Sequence, residues 1–510
     1  MIYLRKFFFV FIFSKFIKSN KKLNFSDLNF RKLDFTNFKE IKTFIFKKDF
    51  YKFKNRYVQS FEFLNFSQNL GGKIGINLSK NTILNWFYKN KNKINFPWSE
   101  DLASKRLINI IYNYEFIESS STEEESKTLK IIIMTHIYRI IFDFKLKSIN
   151  SISSYDLIAI ILSYFILGKD NNKNIYYINL ICNNQIDKFG MHKSYNVLEH
   201  AKFLNNLNEI KNILLYFKYT IPKEIEEKII IMTSILNEYF HKDGTIPLFN
   251  GANNNYTEMI YGTLNKEIYL KSRKFSNTKN GLAYFSDNTK KLFFDVVQPN
   301  EKKISNSLSA GTLAFEFSSG GEKIITNCGA SESLGKNPEY LRFSAAHSTI
   351  TLQNTNISEI KENNPHIKYP QSVTFDTNIV SGNTIFEGSH NGYQKKFDKI
   401  IKRKIEIKNN ENKIVGEDKI ISLKSRNGKV IYHIRFHLVP GFIFNFTNNK
   451  KNIILKSKLN SMWLFKSDTE LSVEDSILVD KNTTIPTKQI VIKGITNNNK
   501  QVKQWSLEKI

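Results

Sequence analysis

Acidic residues are scarce in this chain: 47 Asp and Glu stand against 75 Lys and Arg in 510 residues, a formal net charge of +28. Such an excess disfavours cationic partners and draws polyanions, whether nucleic acid, acidic polysaccharide or an anionic surface. It has a second reading, because the chain is crowded with Lys, Asn, Ile and Phe, as a genome biased toward A and T produces; charge alone names no partner. Cysteine is scarcer still. Cys182 and Cys328 lie far apart with no CxxC pattern, which excludes a zinc ribbon and a disulfide framework and leaves two buried free thiols. No apolar run reaches the ~20 residues of a membrane-spanning helix. At the N-terminus, Arg5 and Lys6 precede the apolar run Phe7–Phe13, closed by Lys15. That run sits at the short limit of a secretory signal, and no A-x-A cleavage site follows. Nucleotide and hydrolase signatures are missing as well. Gly71-Gly72-Lys73 is only a fragment of a phosphate loop, and there is no dinucleotide fingerprint, GxSxG, HExxH or DNA-reading zinc pattern. No motif supports a nucleic-acid partner.

What is present is an ordinary globular balance, 41% hydrophobic and 24% charged, in a chain too long for one core. Residues 1–45 read as a Phe- and Lys-rich extension. Helical periodicity governs residues 46–265. Ser99 is a plausible N-cap for the helix carrying Leu107, Ile108, Ile111 and Tyr112. Further amphipathic helices are expected near Thr128–Phe144, Tyr155–Leu167, Tyr195–Phe217 and Lys223–Phe240. Repeated helical hairpins of this kind suit an α/α toroid. From Lys266 to 510 the texture changes to short alternating runs between Gly, Asn, Asp and Ser turns. In Val430–Leu438, His433, Arg435 and His437 share one face and Tyr432, Ile434, Phe436 and Leu438 the other, the period of a half-buried strand. Many such strands without helices predict an antiparallel β-sandwich.

The C-terminal half carries an ordered series of motifs. It begins at Leu313-Ala-Phe-Glu-Phe-Ser-Ser-Gly-Gly-Glu and runs through Arg342-Phe-Ser-Ala-Ala-His347-Ser-Thr-Ile and Gly388-Ser-His390-Asn-Gly-Tyr393. Gly416-Glu-Asp418, Ile434-Arg-Phe-His437-Leu-Val-Pro-Gly and Trp463-Leu-Phe follow. Taken in order, these resemble the heparinase II/III-like family, especially its alphaproteobacterial branch. Weaker similarity reaches back through Gln185-Ile-Asp187, Gly190-Met-His192-Lys-Ser194-Tyr195-Asn196 and Phe240-His-Lys-Asp243-Gly244.

The resemblance implies a polysaccharide lyase acting on a uronic acid polymer in or bound for the cell envelope or periplasm. Its chemistry is β-elimination: one group neutralises the uronate carboxylate, a base takes the C5 proton and an acid protonates the departing oxygen. His192, Tyr195 and Asn196 supply suitable groups; the alternative for them is a solvated loop and helix cap. His347 and His390 would hold one divalent metal, zinc or calcium, with Glu359, Glu362 and His366 between them as sources of a third ligand. No organic cofactor is implied. Arg342 either grips a substrate carboxylate or forms a surface ion pair, and Tyr393 is either a proton donor or a packing residue. His136, His200 and His241 read as helix-surface histidines. Two departures stand out. The family's Asn-His pair on an early helix has as its nearest counterpart Asn150-Ser151, a substrate-binding candidate without the His. A second His found in some members two residues before His347 is Ala345 here. A catalytically silent polysaccharide-binding protein is therefore the alternative reading.

Overall fold

The computed structural model describes residue 10 and residues 55–98, 101–264, 281–299, 308–331, 339–360, 368–423, 429–447, 449–480, 483–496 and 500–510. The expected extension (residue 10 apart), Ser99 and the expected boundary at 265/266 lie outside these residues. The chain divides into two compact units: Met1–Ile186 with Lys202–Ile230, and Asp187–Ala201 with Ile231–Ile510.

The first unit is helical. Its long helix Glu123–Leu146 starts with a capping box between Thr122 and Glu125, and three acids in the first turn suit the positive end of the helix dipole. A second box, Ser153 with Asp156, opens Ser154–Ile166. In that helix Leu157, Ile158, Ala159, Ile160, Ile161 and Leu162 are all buried, so it is apolar all round and runs through the unit's core. A polar knot also lies inside. Arg106 is fully buried, its guanidinium 4.0 Å from the Trp86 ring centre and 5.0 Å from that of Trp98. Its Nε donates to His136 Nε2 at 3.1 Å, so that ring carries its proton on Nδ1, which donates to the Ile132 carbonyl at 2.8 Å. His136 is thus a core histidine. Burial, then the charge of Arg106, holds it well below its ordinary range. Among the described residues, no helix is long and apolar enough to cross a membrane.

The second unit is built on antiparallel strands. They are β1 (Leu282–Ser286), β2 (Lys290–Asp295), β3 (Phe315–Ser319), β4 (Glu322–Thr326), β5 (Ile350–Leu352), β6 (Val373–Val380), β7 (Asn383–His390) and β8 (Lys399–Lys408). There follow β9 (Lys413–Ser422), β10 (Ile431–Leu438), β11 (Ile443–Thr447), β12 (Asn452–Lys456), β13 (Met462–Ser467), β14 (Leu471–Asp480), β15 (Thr483–Ile495) and β16 (Lys500–Lys509). One eight-stranded sheet runs β1-β2-β3-β4-β10-β15-β14, with β5 also paired to β10; the other runs β11-β12-β13-β16-β9-β8-β7-β6. Period-two sequences place alternate residues inward. Phe294, Phe315 and Phe436 of the first sheet share one core with Phe386, Ile405 and Trp505 of the second.

One ion pair lies inside that core. Arg403 of β8 meets Asp418 of β9 through two bonds of 2.7 and 3.0 Å, and Trp505 Nε1 donates to the same carboxylate at 2.9 Å. The remaining Arg403 nitrogen donates to the carbonyls of Leu313 (2.9 Å) and Ser348 (2.7 Å). This fixes the residue next to His347. Gly416 of β9, opposite Trp505, has no choice of side chain, because a Cβ there would lie 2.0 Å from the Trp505 ring.

Candidate active site

The segment 187–201 clusters with the strand-bearing unit. Asp187 shapes it by accepting the amides of Phe189 and Met191, each at 2.9 Å. His192 Nδ1 accepts the Ser194 amide at 3.2 Å and lies 2.8 Å from the Ser194 hydroxyl, so the neutral ring carries its proton on Nε2. The His192 amide in turn donates to His200 Nδ1 at 3.2 Å, and His200 Nε2 donates to the Met232 carbonyl at 2.9 Å. Burial depresses both rings to about 4. His200 is therefore an internal brace and not a helix-surface residue. Tyr195 sits at φ +49°, in the left-handed region that a tyrosine adopts only when its surroundings hold it there. Asn196 caps the helix Val197–Tyr216, its Oδ1 accepting the Leu198 amide at 2.8 Å.

Asn250 joins this loop to the sheet. Its carbonyl accepts Asn196 Nδ2 at 3.1 Å, its own Nδ2 donates to the Tyr195 carbonyl at 3.2 Å, and its Oδ1 accepts the Ser309 amide at 3.1 Å. From Ser309 the connection continues through neighbouring residues. Arg342 donates twice to the Leu308 carbonyl, at 3.3 and 3.0 Å, and its own carbonyl accepts the Ala310 amide at 2.8 Å. The Ser344 hydroxyl donates to the Ala310 carbonyl at 2.6 Å. Gly311 then lies against His347: a Cβ there would stand 2.7 Å from the imidazole Cδ2. Only glycine leaves the ring its place. His347 Nδ1 donates to the Phe343 carbonyl at 2.9 Å, which leaves Nε2 as the basic nitrogen. Burial depresses the ring to about 4, so it is neutral near pH 7. Tyr195, Asn196, Arg342 and His347 thus belong to one framework of hydrogen bonds and packing. Arg342 is a buried clamp on a backbone carbonyl and not a surface ion pair.

A buried carboxylate supports the turn that carries Asn250. Glu316 of β3 accepts from His241 Nε2 (2.9 Å), Lys323 Nζ (3.1 Å) and the Leu248 amide (3.2 Å). Lys323 and His241 hold Glu316 down to about 2 against the cost of burial, while burial holds His241 at about 4. His241 is therefore buried and not on a helix surface. Sequence reasoning singled out neither Asn250 nor Glu316. The alternation Phe315-Glu316-Phe317 carried a faint signal for the latter, since it directs a lone acid to the face opposite the core.

Other candidates stand elsewhere. Asn150 is exposed on a short turn, Ile149–Ser151, of the helical unit. Tyr393 is buried in the strand core, and its hydroxyl donates to the Ile350 and Thr355 carbonyls at 3.2 and 3.0 Å, which gives it a packing role instead of proton transfer. His390 accepts the Gly392 amide at Nδ1 (3.2 Å), leaving its proton on Nε2, an atom buried without a hydrogen-bond partner. An ion at Nε2 would force that proton onto Nδ1, facing another N–H, so the ring does not fit a metal as a ligand. Glu359 is paired with Lys368 at 2.8 Å, and Glu362 and His366 lie outside the described residues. Among the described residues, no group of three or more His, Cys, Asp or Glu side chains could hold an ion.

The fold defines a class. Residues 271–506 match the family described as heparinase II/III-like, C-terminal. No curated protein matches the sequence. Among solved structures, a heparinase III is similar with a TM-score of 0.73 at 12% identity, over 95% of this chain and 83% of that one. A heparinase III gene product with methylated lysines gives 0.67 at 12%, over 91% and 80%. The heparan sulfate lyase HepC from Pedobacter heparinus gives 0.60 at 12%, over 89% and 75%. The chain has a heparinase-type fold, with a helical N-terminal region and an antiparallel C-terminal region.

Proposed function

We propose that this protein is a polysaccharide lyase that cleaves an acidic, uronic acid-containing polymer by β-elimination, on an α/α toroid followed by a β-sandwich. The observation that carries this reading is the Asn250-centred framework, which ties Tyr195 to the segment packed on His347. The C5 proton of a uronate is weakly acidic, so its removal needs a base and a partner that steadies the carboxylate. His347 offers a neutral Nε2 as the base. Tyr195 offers a phenol for proton transfer to the departing oxygen, and His192 a neutral ring that donates from Nε2. Asn196 spends its amide on the helix cap and on Asn250, so its role is to position Tyr195.

The test is a screen of heparan sulfate, alginate and other uronate polymers for rising ultraviolet absorbance, the mark of the unsaturated uronate that elimination leaves. One polymer should give the signal, and Tyr195→Phe should lower its turnover by about 10²–10⁴-fold with little change in binding. The spent amide of Asn196 and the missing Asn-His pair favour one rival, a silent polysaccharide-binding protein. If a polymer binds and none yields absorbance, that rival replaces the lyase.

A further inference from the structure

Strand β11 ends its sheet, and the stretch that runs from it through β12 and β13 carries charge of one sign. Residues 441–467 hold five lysines and no Asp or Glu. The next strand, β16, adds one acid, Glu508, and Lys413 and Lys466 both pair with it. Edge strands are commonly blunted by charge, yet β11 itself reads Ile-Phe-Asn-Phe-Thr. Ile443 of β11 is 64% exposed and stands in register with Lys456, also exposed. Leu459, in the turn from β12 to β13, is 68% exposed. That turn is firmly built. The Ser457 amide donates to the Ser461 carbonyl at 2.9 Å, and the Ser457 hydroxyl oxygen accepts the amides of Leu459 and Ser461, each at 3.2 Å. Gly441, at φ +101°, makes room for the Lys458 stem, since a Cβ there would lie 2.0 Å from Lys458 Cε. An ordered turn thus holds a leucine in solvent beside Lys456 and Lys458.

A second apolar tip lies at the same end of the sheet. The ends of β12, β16, β8 and β6 meet the starts of β13, β9 and β7 there in antiparallel register. Just before the turn Ser381-Gly382, Ile379 and Val380 are 57% and 52% exposed. Five strand spacings separate β13 from β6, ~24 Å in all.

A partner that meets both tips is broad, one that takes up apolar side chains has hydrocarbon within reach, and one that answers the lysines is negative. A bilayer containing anionic lipid has all three properties. A soluble polyanion would answer the lysines and leave Ile443 and Leu459 in water. We propose that this end of the strand-bearing unit docks on an anionic lipid surface. Leu459, Ile443 and the Ile379–Val380 tip enter the headgroup layer, and Lys456, Lys458 and Lys509 meet the phosphates. None of these residues belongs to the candidate active site, so the proposal stands apart from the lyase reading.

The full chain would be sedimented with vesicles of phosphatidylcholine alone and of phosphatidylcholine mixed equally with phosphatidylglycerol. Binding to the anionic vesicles should be tighter by about tenfold or more. Leu459→Ser should weaken it about tenfold with no change in thermal midpoint, because the side chain lies mostly in water. Lys456→Gln should weaken it about fivefold. Ile74→Ser, at a 73% exposed position of the helical unit, should change nothing. Should Leu459→Ser not fold, Ile379→Ser takes its place, with a loss of the same order. Anionic vesicles bound no tighter than neutral ones, or binding unchanged in the variant, overturns the inference; the second result would mean that net charge alone attracts the lipid. A dimer that forms without vesicles and that Leu459→Ser dissolves, with no vesicle binding, would give the patch to a second copy of the chain and overturn it as well.

Discussion

At the scale of single residues, the candidate site depends on side chains that never meet a substrate. Asp418 neutralises Arg403, and Arg403 holds the Ser348 carbonyl beside His347. Removing one partner of a buried pair leaves the other charge uncompensated, at a cost of about 3–5 kcal/mol. Asp418→Asn keeps the shape and removes the charge, so it should lower stability by that order, read as a fall in the urea midpoint. A midpoint within error of wild type would mean that Arg403 is content with its two carbonyls. Residues at this scale were unevenly legible. His347, Arg342, Tyr195 and Asn196 stood in motifs. Asn250 did not, because one asparagine in an Asn-rich chain carries no signal. His241 was misread because the apolar spacing ran on to Phe240, whereas the helix ends at Glu238 and leaves the imidazole free to turn inward to Glu316.

At the scale of elements, legibility followed the contrast between faces. The helices Glu123–Leu146, Ser154–Ile166, Val197–Tyr216 and Lys223–Glu238 were read within a few residues, because apolar positions recur at helical spacing. Gly72–Asn90 and Asn172–Gln185 were passed over. Both are rich in Asn, and the second buries only Asn174, Ile178, Ile181 and Cys182, too few for a clear stripe. Strand β10 was legible to the face, while β11, exposed along most of its length, offers no alternation. Caps were the least used signal. Ser153 and Asp156 satisfy each other's amides at 3.2 and 3.0 Å at the start of the largely buried helix Ser154–Ile166. Ser153→Ala should therefore cost about 1 kcal/mol, with Ser153→Gly costing only a few tenths. Equal thermal midpoints for Ala and wild type would show that packing alone sets this helix start.

At the scale of the whole molecule, the histidines decide how the fold meets acid. His192, His200, His241 and His347 are depressed to about 4, and His390 and His437 to about 3, in each case mainly by burial. An unfolded chain takes up these protons below about 6.5, where histidine ordinarily titrates, while the folded chain refuses them until far lower pH. Between those limits the unfolded state binds more protons, so stability falls as pH falls. Each unit of depression corresponds to about 1.4 kcal/mol for a fully buried ring, and every proton taken up adds to a charge already strongly positive. Glu316 extends the loss: held at about 2, it contributes stability that is complete above its ordinary value of 4.5 and declines below it. Asp295, pushed up to about 8 by burial, works the other way, since the folded chain keeps a proton there that the unfolded chain loses. The thermal midpoint should therefore rise slightly from pH 8 to 7, fall from 6.5 toward 4 as the histidines outweigh that one carboxyl, and steepen below 4.5. A midpoint unchanged between pH 7 and 5 would mean that the buried histidines take their protons in the folded state, and the framework that keeps His347 neutral as a base would lose its physical footing.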